Sequence, residues 1–242
     1  MSESKIYPVP EDFANNAHIN REQYESMYRR SIEDPDGFWA EEAEEFLEWM
    51  KPWDKLQEWD FTRADIKWFE GGTLNVSYNC LDRHLDSRGN QTAILWEGDD
   101  PAVDKALTYR ELHQEVCKFA NVLKARGVNK GDRVCIYMPM VVEAAVAMLA
   151  CTRIGAVHSI VFGGFSPDSL RDRILDSDCQ TVITADEGVR GGKSVALKAN
   201  ADIALQECPN VHTCVVIRRT GGEIDWQDGR DVWYDEMMAD AS

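Results

Sequence analysis

From about residue 92 the chain alternates short apolar runs with longer amphipathic stretches. The runs 133–138, 158–162, 181–185 and 211–217 are apolar at successive positions rather than at every second one. That pattern predicts strands covered on both faces by helices, as in a parallel sheet. Between the runs, the spacing predicts helices over 142–154, 166–176 and 194–206, with one more before them over 108–126. The punctuation agrees. Thr108 and Glu111 stand at capping-box spacing, Gly127 and Gly155 sit where helices should stop, and Ser166-Pro167 supplies an N-cap followed by proline at the first helical position. Thr92 to Trp96 adds a further short apolar run. The order β-α-β-α-β-α-β with right-handed crossovers predicts an α/β fold with a doubly wound, mainly parallel sheet.

Residues 1–85 read differently. Five tryptophans (Trp39, Trp49, Trp53, Trp59 and Trp68) fall among acidic residues. Asn20 with Gln23 opens a helix by capping-box spacing, 36–49 reads as a second helix, and 79–85 as the start of another. The expected organisation is a helical, Trp-rich extension over 1–85 and an α/β subdomain over 86–242. The tryptophans either pin the extension onto its own domain or form a partner surface.

Composition narrows the function classes. The chain has 242 residues, 44% of them hydrophobic and 29% charged, which fits a folded protein of one or two domains. Its net charge of −17 argues against non-specific nucleic-acid binding, because a polyphosphate would be repelled. Residues 34–48 carry seven acidic side chains and no basic one, a solvated helix face. Seven scattered cysteines without a C-x-x-C pair predict reduced thiols and a cytoplasmic protein. Cys80 and His84, four apart, are too few ligands for a metal. The first residues hold no apolar signal region, and no apolar run reaches the roughly 18–20 residues of a membrane span.

Two loops leave predicted strand ends, where open α/β sheets bind ligands. One is Gly163-Gly164-Phe165-Ser166 and the other runs from Asp186 to Lys193 through Arg190-Gly191-Gly192. Paired glycines allow close backbone approach, and each loop is expected to lead into a helix N-terminus, which favours anions. Arg190 offers a planar fork and Lys193 a point charge for phosphate. By residue chemistry alone, two plain turns with solvated cations fit as well. If 158–162 and 181–185 are neighbours, both loops rise on one rim. Neither loop matches the Walker A or dinucleotide fingerprint.

Many runs, in order from about Ile19, resemble one family. They include Trp68-Phe-Glu-Gly-Gly-Thr-Leu-Asn75, Asn79-Cys-Leu-Asp-Arg-His-Leu85, Trp96-Glu-Gly-Asp-Asp-Pro101, Tyr137-Met-Pro-Met140, Val161-Phe-Gly-Gly-Phe-Ser166, Gly188-Val-Arg-Gly-Gly-Lys193 and Arg219-Thr-Gly-Gly-Glu223. These runs make the chain similar to the N-terminal portion of AMP-forming acetyl-CoA synthetases. The resemblance implies a parent that uses ATP and Mg to turn acetate into acetyl-adenylate and then passes the acetyl group to CoA. It also implies CoA contacts, near the 3′-phosphate, from Arg190, Gly191, Gly192 and Lys193, with Gly163 and Gly164 against the nucleotide. Val142, where the family often has proline, and Arg171, where it has a small residue, depart from the pattern without touching that motif.

The family's Ser/Thr/Gly-rich phosphate loop with its lysine is absent; Thr220-Gly221-Gly222 lacks the lysine and reads as a turn. The expectation is therefore a partial adenylate-forming enzyme, inactive alone, whose missing C-terminal part would cover apolar surface and whose absence favours self-association. The alternatives are a propionate or other short-acyl ligase, a stand-alone CoA- or nucleotide-binding module, and an interaction domain built on the extension.

Overall fold

The computed structural model describes residues 7–241; the apolar-poor start read over Met1–Ile6 lies outside them. The chain forms two compact units divided between Thr73 and Leu74.

In the first unit, short α1 (Glu11–Asn15) precedes α2 (Arg21–Glu33) and α3 (Pro35–Phe46). The Asn20–Gln23 capping box forms, with both reciprocal bonds at 2.9 Å. The second helix stops at Phe46 rather than Trp49, because the Trp49 indole N–H donates to the Ala43 carbonyl at 2.9 Å and turns the chain. An antiparallel hairpin then follows, β1 (Lys55–Asp60) with β2 (Asp65–Glu70), so the extension is not helical throughout. Both strands are mostly exposed and mix polar with apolar residues, so neither carries the apolar run that marks the later strands. Trp49, Trp53 and Phe69 meet at edge-on to tilted angles with centroids 5.0–5.2 Å apart, an aromatic anchor inside this unit. Trp39, Trp59 and Trp68 stay exposed.

The second unit opens with α4 (Val76–Cys80), a 3₁₀ turn (Asp82–His84) and α5 (Leu85–Arg88). Helix α4 ends at Cys80, so Cys80 and His84 share no helix face. Next come a hairpin of β3 (Thr92–Glu97) and β4 (Asp104–Thr108), and helix α6 (Tyr109–Ala125), entered by the Thr108–Glu111 capping box. The remaining elements are β5 (Arg133–Met138), α7 (Val142–Ile154), β6 (Val157–Phe162), α8 (Pro167–Ser177), β7 (Thr181–Ala185), β8 (Gly188–Arg190), β9 (Lys193–Val195), α9 (Leu197–Leu205), β10 (Thr213–Ile217), β11 (Asp231–Trp233) and α10 (Tyr234–Asp240).

The run from Thr92 is thus a strand of its own two-stranded ribbon. The five-stranded sheet has the order β11-β10-β7-β5-β6, and every pairing in it is parallel. Helices α6 and α7 contact each other, as do α8 and α9, the pairing expected when each pair covers one face of the sheet. The doubly wound parallel sheet read from the apolar runs is therefore present. Its strands β5, β7 and β10 are almost wholly buried.

Residues 74–85 belong to this second unit, although the change of texture near residue 85 suggested the first. Asn75 caps α4 and donates to the Thr152 and Arg153 carbonyls at 3.1 Å, closing the end of α7. Arg153 in turn grips the Asp82 carboxylate with two bonds of 2.7 and 2.8 Å. The Arg153 bonds outweigh burial and hold the Asp82 carboxyl below its ordinary range. Five of the seven cysteines are buried and all seven are free. Among the described residues, no helix is long and apolar enough to cross a membrane.

Candidate functional site

The strand order places a switch point at the C-terminal ends of β5 and β7: β5 leads outward to β6, and β7 leads the other way to β10. A crevice is expected there. Strands β6 and β7 are not neighbours, since β5 lies between them. Their loops still meet. A cleft of about 410 Å³ brings together Gly163 and Gly164 after β6, Met138-Pro139-Met140 after β5, Gly188 to Arg190 after β7, and Trp96 and Arg219.

The two loops differ in build. After β6, Ser166 caps α8 by accepting from the Ser169 N–H at 3.3 Å, so this loop does lead into a helix N-terminus. Tyr137, buried in β5, holds the loop from below: its hydroxyl donates to the Phe165 carbonyl at 2.8 Å and accepts from the Asn200 amide at 3.3 Å. A side chain on Gly163 would press on the Met138 carbonyl at 3.0 Å and on Leu197, so the close approach of strand and loop requires glycine there.

After β7 the chain does not run straight into a helix. Gly188–Arg190 and Lys193–Val195 pair as an antiparallel hairpin, and α9 begins only at Leu197, with no side-chain cap. Gly191 and Gly192 form its two-residue turn with φ of +58° and +72°. Positive φ at both positions is what a tight hairpin of this twist demands, and it explains the glycine pair without a ligand. The expected helix dipole is therefore absent at Lys193. The Gly192 N–H is also taken, since it donates to the Asp99 carboxylate at 2.9 Å. What remains for an anion is the side chains. Arg190 and Lys193 are directly opposite each other in the hairpin register, flanking the turn. Cross-strand partners of this kind have Cβ atoms within about 5.5 Å. Both are exposed, and neither guanidinium nor ammonium has an ion pair or hydrogen bond among the described residues. The Arg190 guanidinium lies 5.2 Å from the Phe162 ring centroid.

Two groups in this region escaped the sequence reading. Asp186, buried at the end of β7, receives the N–H groups of Arg219 and Gly221 at 2.8 Å and of Thr220 at 3.2 Å, fixing the loop after β10. Arg219 then stacks on Trp96, guanidinium to ring centroid 5.1 Å. The signal for either lay in the runs that carry the family resemblance, not in spacing.

The comparisons with known proteins divide the chain at residues 80 and 81, a few residues beyond the structural boundary. A family model described as "AMP-binding enzyme" matches residues 81–239, well over half of the chain. The chain belongs to the AMP-binding enzyme family. A second model, "Acetyl-coenzyme A synthetase N-terminus", matches residues 24–80. Among curated relatives, the acetyl-coenzyme A synthetases of Alkalilimnicola ehrlichii and Halorhodospira halophila are 63% and 65% identical over all 242 residues. The chain spans 38% of the length of each. Among solved structures, an acetoacetyl-CoA synthetase from Streptomyces lividans matches with a TM-score of 0.81 at 28% identity, covering 90% of this chain and 33% of that one.

Proposed function

We propose that this chain is the N-terminal part of an AMP-forming acetate–CoA ligase and that its β8–β9 hairpin contributes the site for the CoA 3′-phosphate. The observation that carries the reading is the pair of unpaired cations, Arg190 and Lys193, held opposite one another on a hairpin whose Arg190 lines the cleft, in a chain of net charge −17. Their setting suits a dianion: the arginine gives two parallel N–H donors, and the lysine a mobile charge beside them. Gly163 and Gly164 line the cleft and keep their backbone available for close approach by a nucleotide. The identity to proteins named acetyl-coenzyme A synthetase supports acetate as the acyl group. The fold match to an acetoacetyl-CoA synthetase keeps other short acyl chains, propionate included, as the alternative. The buried, reduced thiols suit a cytoplasmic setting.

In the full-length relatives' reaction, ATP and Mg would activate the carboxylate, and this chain's residues would act afterwards, orienting CoA by its nucleotide end. The 242 residues contain no Ser/Thr/Gly-rich phosphate loop with a lysine, so alone they are expected to catalyse no acetate-dependent ATP–pyrophosphate exchange. Measurable exchange by the purified chain would overturn that assignment of roles.

The CoA assignment is tested by calorimetric titration with CoA and 3′-dephospho-CoA. The wild-type chain should prefer CoA by about tenfold or more, the effect of charge-assisted bonds to one phosphate. The double variant Arg190→Ala, Lys193→Ala should bind the two ligands equally. A preference for CoA that survives both substitutions would assign the phosphate elsewhere. The exposed apolar positions along the β6 edge, Val157, Ile160 and Phe162, support self-association of the isolated chain.

A further inference from the structure

The cleft has a second arginine that lies outside the hairpin motif and to which the sequence assigned no binding role. Arg219 is half-buried, follows β10, and lines both the 410 Å³ cleft and the adjoining groove that runs past Gly191 and Gly192. It is fixed at both ends. Its backbone N–H is bonded to the buried Asp186 carboxylate at 2.8 Å, and its guanidinium lies on the Trp96 ring. Trp96 is itself immobilised, because its indole N–H donates to the Met140 carbonyl at 2.6 Å across the mouth of the cleft. Gly98 lies beside both groups: a Cβ there would come within 3.2 Å of the Trp96 ring and 3.4 Å of the Arg219 Nη2 atom.

An arginine so held has already lost much of its rotamer freedom, so less is lost on binding a ligand. Yet among the described residues its guanidinium makes no ion pair and no hydrogen bond. Carboxylates are near: Glu97, Asp99 and Asp100 line the same walls. None of them pairs with Arg219, and Asp99 is engaged by the Gly192 N–H instead. Arg219 lines the cleft with its donors unspent on these carboxylates. Arg190 stacks on Phe162 and Arg219 on Trp96, so two arginine planes, each lying on an aromatic ring, face one cavity from different loops.

We propose that Arg219 is a phosphate-binding residue of this cleft, taking the 5′-diphosphate of a nucleotide whose ribose 3′-phosphate is held by Arg190 and Lys193, with Trp96 as its positioning residue. The proposal rests on the CoA reading for the identity of the nucleotide, but not for the existence of an anion site.

The test uses the 242-residue chain, with thermal melting as a control for folding, and three titrants: CoA, 3′-dephospho-CoA and inorganic pyrophosphate. Arg219→Gln should weaken CoA and 3′-dephospho-CoA by the same factor, about tenfold or more, and weaken pyrophosphate likewise, while the preference for CoA over 3′-dephospho-CoA is kept. Trp96→Leu should reproduce part of that loss with Arg219 intact. Wild-type binding of CoA that is unchanged in Arg219→Gln overturns the inference and leaves the CoA reading standing. Binding of pyrophosphate, dependent on Arg219, without binding of CoA overturns the CoA reading and leaves the anion site standing. No binding of any of the three by the wild-type chain overturns both.

Discussion

Replacing Lys198 with methionine should destabilise the chain by about 3–5 kcal/mol, the cost of removing one partner from a buried ion pair. Lys198 is wholly buried in the first turn of α9. Its ammonium spends all three protons: on the Asp202 carboxylate at 2.7 Å, on Asp231 at 2.9 Å and on the Asp225 carbonyl at 2.9 Å. Arg230 completes the cluster, bonding Asp202 and Asp231 at 2.6 Å each. Two cations and two carboxylates balance, and they tie α9 to the start of β11, an edge strand of the sheet. Methionine matches the stem but leaves the Asp231 carboxylate, whose side chain has no exposure, with Arg230 as its one cation and the Gln227 N–H. Urea unfolding followed by far-ultraviolet circular dichroism would measure the loss. A double variant, Lys198→Met with Asp231→Asn, should recover part of it, since coupled partners are non-additive. A loss below about 1 kcal/mol in the single variant would show that the cluster is not the fastening described here.

The same cluster sets a pH dependence. Burial alone would raise the Asp231 carboxyl, but the bonds from Arg230, the Gln227 N–H and Lys198 outweigh it and hold the group below its ordinary value of 3.8. A carboxylate lowered on folding contributes stability above its unfolded value and loses it as pH falls through the folded one. Wild-type stability should therefore decline on acidification below about pH 4, Asp82 contributing in the same direction.

The strand–helix alternation was legible because burial on both faces demands uninterrupted apolar runs, and β5, β7 and β10 supply them. Helix ends were legible because caps are local chemistry: Asn20 with Gln23, Thr108 with Glu111, and Ser166-Pro167 each involve residues three apart or fewer. The hairpins were not. β1–β2 is half-solvated, and β8–β9 is only three residues a side, so neither carries a periodic signal, and the expected helix N-terminus at Lys193 came out as a strand. The glycines and cations of the cleft stood out as a local motif. Arg219 and Asp186 did not, since their roles come from strand order, which sets residues 33 positions apart side by side. Lys198 likewise reads as an ordinary helix lysine until β11 brings Asp231 against it.

Replacing Asp186 with alanine should cost about 3 kcal/mol and should also erase the anion response assigned to Arg219. The carboxylate is 1% exposed and has no cation beside it among the described residues. It is stabilised instead by backbone N–H groups: those of Arg219, Thr220 and Gly221 at 2.8–3.2 Å, and that of Glu187 at 2.6 Å. A hydrogen bond to a charged group contributes about 1.5–3 kcal/mol, and each donor left unpaired costs about 1–3 kcal/mol. Partial re-solvation of the exposed Thr220–Gly221 end keeps the sum near 3 kcal/mol rather than several times that. Because Asp186 also receives the Lys198 N–H on its own carbonyl and donates to the Ile217 carbonyl, it joins the ends of β7 and β10 to the start of α9. Its side chain thus links sheet geometry to the Arg219 loop. Asp186→Asn, which keeps an acceptor but loses the charge, should fall between wild type and alanine in stability. If Asp186→Ala melts like wild type, the loop is held by Trp96 and Thr220 instead. If it melts lower yet keeps full pyrophosphate affinity, Arg219 owes its position to the aromatic face alone. Only loss of both places the carboxylate upstream of the arginine, as the bond pattern requires.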